Sequence, residues 1–197
     1  SSFRSKFLKL LISANNKHQF KKSKYPNRHQ VEKYNDFVND SLGTNFPARK
    51  LVLQAINSTL STHNLKLGIN PGASYGIAKR WYPDEFAQVA AELSEKYDIF
   101  IFGSLGEVDI ANDIEKSLIE KGVTNYQNLA GKTTIPELIN QISSLDLFIT
   151  GDSGPMHIAA TFQIPTVAIF GPTNHDETSQ WMNEKSMIVK KNLECQP

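Results

Sequence analysis

The chain has 197 residues, of which 40% are hydrophobic and 21% charged, with a formal net charge of +1. That composition belongs to a soluble globular protein of one domain, or one domain and part of another, able to bury a proper core. No apolar run approaches the roughly 18 to 20 residues that span a bilayer, and a lone cysteine, Cys195, excludes an internal disulfide framework. A reducing, cytoplasmic setting follows as the default. The start, Ser1-Ser2-Phe3-Arg4-Ser5-Lys6, leads into an amphipathic segment rather than a continuous apolar one, so no signal peptide is expected.

The charge is unevenly divided. Residues 1 to 66 carry twelve Lys and Arg against three Asp and Glu, a net of +9, while residues 67 to 197 carry nine against seventeen, a net of −8. The basic part either faces an anionic partner, such as nucleic acid, a phosphorylated glycolipid or an acidic membrane surface, or is a solvated basic edge.

Taken in chain order, Phe3, Phe7, Leu8, Leu10 and Leu11 fall on one side of a short basic helix whose other side carries Arg4, Lys6 and Lys9. A polar tract from Ser13 to Arg28, broken by Pro26, reads as a loop. A second helix is predicted over His29 to Leu42, with Val31, Tyr34, Phe37 and Val38 on its pattern and Gly43 as its stop. Residues 44 to 65 read as a linker. Two helices and a loop lack the area for a core of their own. Residues 1 to 64 are therefore expected to be the later part of a larger domain, and 65 to 197 a second domain.

From Leu65 the pattern becomes regular. Strands are predicted at 65–70, 98–103, 126–129, 145–150, 165–170 and 187–189, and helices at 83–96, 108–120, 135–143 and 155–162. Apolar strands without clean alternation, separated by helices, specify a parallel sheet covered on both faces: a Rossmann-like α/β unit. Ligands of such sheets bind at the carboxyl ends of the strands. The glycine-bearing loops fall there: Asn70-Pro71-Gly72-Ala73-Ser74, Gly103-Ser104-Leu105-Gly106-Glu107, Ala130-Gly131-Lys132-Thr133-Thr134, Gly151-Asp152-Ser153-Gly154 and Gly171-Pro172-Thr173. Five such loops on one edge point to a nucleotide or phosphate ligand.

Asp152-Ser153-Gly154-Pro155-Met156-His157 joins a strand to a helix, leaving helix-end N–H groups aimed out of the sheet edge, a place to hold an anion. Ser153 or Asp152 is the expected cap, and Pro155 suits the first helical position. The alternative for this stretch is a capped helix with a chance histidine. Lys79 follows a glycine-containing loop and can reach over the sheet edge toward Ser153 and Gly154; Lys79 and Arg80 are otherwise a solvated pair, and Trp81 reads as core packing. Glu107 stands just past a strand end, either to accept ribose hydroxyls or to cap a helix.

Other motifs fail. Gly131-Lys132-Thr133 is no P-loop, because Tyr126 occupies the place of the required glycine. Thr134-Ile135-Pro136-Glu137 is a capping box. No strand is followed by Gly-x-Gly-x-x-Gly, which disfavours an NAD enzyme. Without an Asp-x-Asp pair or a His/Cys cluster, no metal is expected. What remains is a diphosphate handled by cations and helix ends.

Pro71-Gly72-Ala73 with Ala78-Lys79-Arg80-Trp81, Asn128-Leu129-Ala130-Gly131-Lys132-Thr133, Asp152-Ser153-Gly154-Pro155-Met156-His157-Ile158-Ala159-Ala160 and Phe170-Gly171-Pro172-Thr173 together resemble the lipopolysaccharide heptosyltransferases, glycosyltransferase family nine. The likeness covers about Leu65 to Trp181. It implies a GT-B architecture, with a Rossmann-like donor domain and an N-terminal acceptor domain only partly present here. It implies an inverting, metal-independent transfer of heptose from ADP-L-glycero-D-manno-heptose to the lipopolysaccharide inner core, with no cofactor. The implied partners are ADP-heptose, that acceptor and the cytosolic face of the inner membrane, not nucleic acid. Carried over residue by residue, Lys79 contacts the donor phosphates, Glu107 the nucleoside, and Asp152, Ser153, Gly154 and His157 the diphosphate and sugar. The family's catalytic aspartate would lie before Ser1, so this chain is expected to bind donor without transferring sugar. The competing readings are a non-catalytic nucleotide-sugar module, a family-nine transferase for another nucleotide sugar, and a GT-B epimerase.

Overall fold

A computed structural model describes residues 7–8, 11–55, 64–72 and 79–191. The start of the expected first helix (Phe3, Arg4, Lys6, Lys9, Leu10), linker residues 56–63, the loop at 73–78 and the end at 192–197 with Cys195 lie outside them. The chain divides into two compact units, 1–49 and 50–197. That division falls within the stretch 44–65 that the sequence presents as a linker between a part-domain ending at 64 and a domain starting at 65.

In the first unit, α1 spans Gln30–Leu42. His29 caps it by accepting from the Val31 N–H at 3.2 Å on Nδ1, and the Glu32 carboxylate accepts from the His29 N–H at 3.1 Å. Gly43 ends it with a left-handed φ of 68°, as the stop signal implied. The predicted loop before it holds a 3-10 turn at Lys22–Lys24. A small aromatic core forms as Phe20 stacks on Tyr25 and meets Tyr34 and Phe37 at 5.0 and 5.6 Å between ring centroids. Asp40 accepts from Lys24 Nζ and the Tyr25 hydroxyl, both at 2.7 Å, and these bonds hold its carboxyl below the usual aspartate range. Phe7, Leu8 and Leu11 are exposed.

The second unit is one six-stranded parallel sheet. Its elements in chain order are β1 (Leu65–Asn70), α2 (Pro83–Leu93), β2 (Tyr97–Ile101), α3 (Val108–Glu120), β3 (Tyr126–Asn128), α4 (Ile135–Ile142), β4 (Leu147–Gly151), α5 (Gly154–Thr161), β5 (Thr166–Phe170), α6 (His175–Thr178) and β6 (Ser186–Lys190). The strand order is β3-β2-β1-β4-β5-β6, so the winding reverses between β1 and β4. Gly68 and Asn70 pair there with Phe148 and Thr150. The predicted elements are all present: the strand 65–70 and the helix 108–120 match at both ends, and the other ends differ by at most three residues.

Both faces of the sheet are covered, which is why its strands read as apolar runs. Leu67, Ile69, Ile99 and Ile101 pack on one face against Phe86, Ala87 and Ala90 of α2 and Ala111, Ile114 and Leu118 of α3. Phe100, Phe102 and Phe148 pack on the other against Ile142 of α4 and Ala159 of α5. Gly68 sits under this second layer, where a Cβ would come within 2.4 Å of Leu145 and 2.7 Å of Phe148. Trp81 meets Phe86 edge-on at 5.0 Å, the core role expected of it. Among the described residues no helix is long and apolar enough to cross a membrane.

Candidate functional site

The winding reverses where β1 and β4 run side by side, so their outgoing loops part and open a crevice at the carboxyl ends. A cavity of about 400 Å³ lies there. Asn70 ends β1 at its floor; Gly103, Ser104 and Glu107 follow β2, Thr133, Thr134, Ile135 and Leu138 lead into α4, and Asp152 to Pro155 lead from β4 into α5. Lys79 completes the lining.

Five of the six residues singled out in the sequence therefore line one cavity: Lys79, Glu107, Asp152, Ser153 and Gly154. His157 does not. It lies in the first turn of α5, half-buried, where its backbone carbonyl accepts from the Thr161 hydroxyl at 2.9 Å.

The structure gives Asp152 a partner that the sequence did not reveal. Its Oδ2 accepts from Lys79 Nζ at 2.8 Å and from the Thr173 hydroxyl at 2.7 Å, and its side chain is only 7% exposed. The carboxylate anchors the lysine at the mouth of the α5 loop. A bare carboxylate beside a diphosphate would repel it; pairing to a lysine weakens that repulsion without removing it.

Helix α5 begins at Gly154, with Pro155 second and Ser153 at the N-cap position, one residue earlier than the sequence suggested. Neither expected cap operates as such: Asp152 is held by Lys79 and Thr173, and the Ser153 side chain makes no capping bond. Ser153 Oγ instead accepts from Asn70 Nδ2 at 3.1 Å and lies 3.3 Å from Thr150 Oγ1. A Cβ at Gly154 would meet nothing within 4 Å, so the helix end opens onto space. The positive end of the α5 dipole faces that opening without a side-chain cap.

Glu107, 6% exposed, does what the capping alternative required: its Oε2 accepts from the Ser104 N–H at 2.7 Å, closing a capping box over the 3-10 turn Leu105–Glu107. Its carboxyl packs against Gly72, where no Cβ fits.

Thr134 and Glu137 form the predicted box on α4, with Glu137 Oε2 accepting from the Thr134 N–H and hydroxyl, each at 2.7 Å. These bonds, the backbone one first, hold the Glu137 carboxyl below the ordinary glutamate range. A carboxyl lowered on folding adds stability above its unfolded pKa, and loses it as pH falls through the folded one. Glu137→Gln is therefore expected to flatten the acid limb of a melting-temperature against pH curve; an unchanged limb would refute the assignment. Lys132 Nζ folds back onto the Asn128 carbonyl at 2.9 Å and does not line the cavity, consistent with rejecting a P-loop.

Asn70 and Thr173 were missed as site residues. Asn-Pro-Gly looks like turn chemistry, and only the fold shows Asn70 to be 2% exposed with its amide against Ser153. Thr173 stood in a glycine loop already noted, but nothing local tied it to Asp152.

The fold and site define an α/β protein with a polar-lined cavity at the switch point of a doubly wound sheet. The chain belongs to glycosyltransferase family 9, the heptosyltransferases: the model of that family matches residues 2–197. It is 42% identical over 203 aligned residues to lipooligosaccharide heptosyltransferase 2 of Campylobacter jejuni, covering all of this chain and 63% of that protein. It is 33% identical over 133 residues to lipopolysaccharide heptosyltransferase 2 of Escherichia coli, covering 67% of this chain and 38% of that one. In structure it is similar to E. coli ADP-heptose lps heptosyltransferase II, with a TM-score of 0.76, 28% identity, and coverage of 86% of this chain and 56% of that one. The second unit is thus a Rossmann-like half of GT-B type, and the chain spans less than two thirds of the length of these relatives.

Proposed function

We propose that the second unit is the donor-binding half of a heptosyltransferase of lipopolysaccharide core assembly, and that ADP-heptose binds in the 400 Å³ cavity. One observation carries the reading: the Lys79 ammonium and the uncapped N-terminus of α5 face the same opening at the sheet's switch point. Ile135, Leu138 and Pro155 offer an apolar wall for a nucleobase, and the Ser153–Gly154 end a seat for the diphosphate. The names of the related enzymes, one of which is called an ADP-heptose heptosyltransferase, support the choice of donor.

The reaction is an inverting displacement. A base takes the proton of the acceptor hydroxyl, the oxygen attacks the anomeric carbon, and the bond from that carbon to the diphosphate breaks with its electron pair going to ADP. Lys79 and the α5 N–H groups receive the charge that grows on the leaving group, which lowers the barrier without a metal or cofactor. The two carboxylates of the cavity are committed, Asp152 to Lys79 and Thr173, Glu107 to Ser104. The base therefore comes from outside this cavity. The net +9 of residues 1–66 suits a phosphorylated glycolipid acceptor at the cytosolic face of the inner membrane.

Calorimetric titration with ADP-heptose, ADP, UDP and GDP, with and without Mg²⁺, tests the reading. The adenine nucleotides are expected to bind at least about tenfold more tightly than UDP or GDP, a difference of about 1.4 kcal/mol, and chelation of metal to change nothing. A preference for UDP, or a requirement for Mg²⁺, would overturn it. Tight ADP-heptose binding that no added segment bearing the base turns into transfer to a core acceptor would favour a non-catalytic nucleotide-sugar module.

A further inference from the structure

The hydrogen bonds beneath the donor cavity have a direction that can be worked out proton by proton. Asn70 Nδ2 lies 3.1 Å from Ser153 Oγ, 3.4 Å from the Gly72 carbonyl and 3.5 Å from Thr150 Oγ1. A carbonyl only accepts, so the Gly72 contact identifies this side of the amide as its nitrogen. Asn70 must then donate to Ser153, and the serine oxygen is an acceptor in that bond. The Thr150 hydroxyl donates to the Gly151 carbonyl at 3.0 Å, which uses its only proton. Between Thr150 and Ser153, 3.3 Å apart, the hydrogen therefore comes from Ser153.

Of the hydroxyl protons in this group, that of Ser153 alone is not committed to a carbonyl. It is held by a long contact to another hydroxyl, a weak neutral bond. A phosphate oxygen in the cavity is a charged acceptor and makes a shorter, stronger bond. The same Asn70 contact keeps Ser153 Oγ from turning onto the N–H groups of its own helix, where an N-cap serine ordinarily bonds.

The geometry points to Asn70 as a positioning residue for donor binding: by donating to Ser153 Oγ it turns the serine hydroxyl into a proton donor for the diphosphate and leaves the first turn of α5 uncapped for the same group. This rests on the reading of the cavity as a donor diphosphate site. Asn70 touches no reacting atom and acts through Ser153.

The test is a double-mutant cycle read by calorimetry with ADP and with adenosine, using Asn70→Ala, Ser153→Ala and the pair, with melting temperatures recorded for each. Asn70→Ala is expected to weaken ADP about tenfold, the size of one charge-assisted hydrogen bond, and to leave adenosine within about twofold, since the lost contacts are to phosphate. On the Ser153→Ala background the same change is expected to cost less than about twofold more for ADP, because Asn70 has nothing left to orient. Losses that multiply in the pair, or an unchanged ADP affinity in Asn70→Ala, would overturn the positioning role. So would an equal loss for ADP and adenosine, the mark of a merely structural residue. If Asn70→Ala does not fold, Asn70→Ser, one bond too short to reach Ser153, takes its place in the cycle. Failure of the parent protein to bind ADP would instead defeat the donor-site reading itself, and this inference with it.

Discussion

Lys79→Ala is expected to weaken ADP and ADP-heptose binding by about a hundredfold, the upper range for removing one charged hydrogen-bond donor from a phosphate. The same change leaves Asp152, 7% exposed, with Thr173 as its remaining side-chain partner among the described residues. The protein should lose about 1 to 3 kcal/mol of stability from that carboxylate. Asp152→Asn is expected to act in the opposite sense on the nucleotide. It keeps an acceptor for Thr173, removes a negative charge from beside the diphosphate and leaves Lys79 without its counter-charge, so ADP should bind about threefold to tenfold more tightly. Comparing ADP with ADP-heptose in this variant separates the two roles open to Asp152. If it only anchors Lys79, both ligands gain alike; if it also accepts sugar hydroxyls, ADP-heptose gains less than ADP. Unchanged binding in Lys79→Ala would remove the lysine from the site.

Gly72→Ala is expected to damage the cavity through steric contact alone. The added Cβ would lie 2.1 Å from Cδ and Oε1 of Glu107 and 2.8 Å from its Cγ. A glutamate end group on a surface would swing away. This one is buried, and its Oε2 holds the Ser104 N–H, so moving it breaks the box that starts the 3-10 turn. The expected cost is about 1 to 3 kcal/mol, as for other overpacked sites, together with weaker ADP binding. Glu107→Ala added to Gly72→Ala should recover part of the lost melting temperature by making room. A Gly72→Ala protein as stable as its parent would show that the contact is easily relieved.

The parallel sheet was legible because strands covered on both faces, such as Ile99-Phe100-Ile101, are apolar without alternation, and because glycine loops fall at one end of each. The position of the cavity followed from that, and Lys79, Glu107, Asp152, Ser153 and Gly154 all reach it. Element ends were less legible: α2 stops at Leu93 rather than Lys96, and α5 starts at Gly154 rather than Pro155. Propensity falls off gradually at such places, whereas the last backbone hydrogen bond is a local matter. What the sequence could not express was partnership at a distance. Asp152 looks like a loop acid until Lys79, 73 positions earlier, lies beside it. Glu107 was left between two roles, and a single bond to Ser104 shows the capping one in place. His157 shares the motif but not the cavity lining, a difference that the order of residues along the motif does not express.

The pairing of β1 with β4 also bears on how the protein acquires its site. Asn70 and Ser153 are 83 positions apart and Asn70 and Thr150 are 80, and both contacts depend on two strands separated along the chain by β2, β3 and their helices. Closing so long a loop is entropically costly and is repaid only when the strands join. A chain folded as far as β3 would hold most of one hydrophobic layer and no donor seat. Nucleotide binding would then favour only the fully closed sheet, and a donor present during refolding should raise the yield of native protein without hastening the earliest steps.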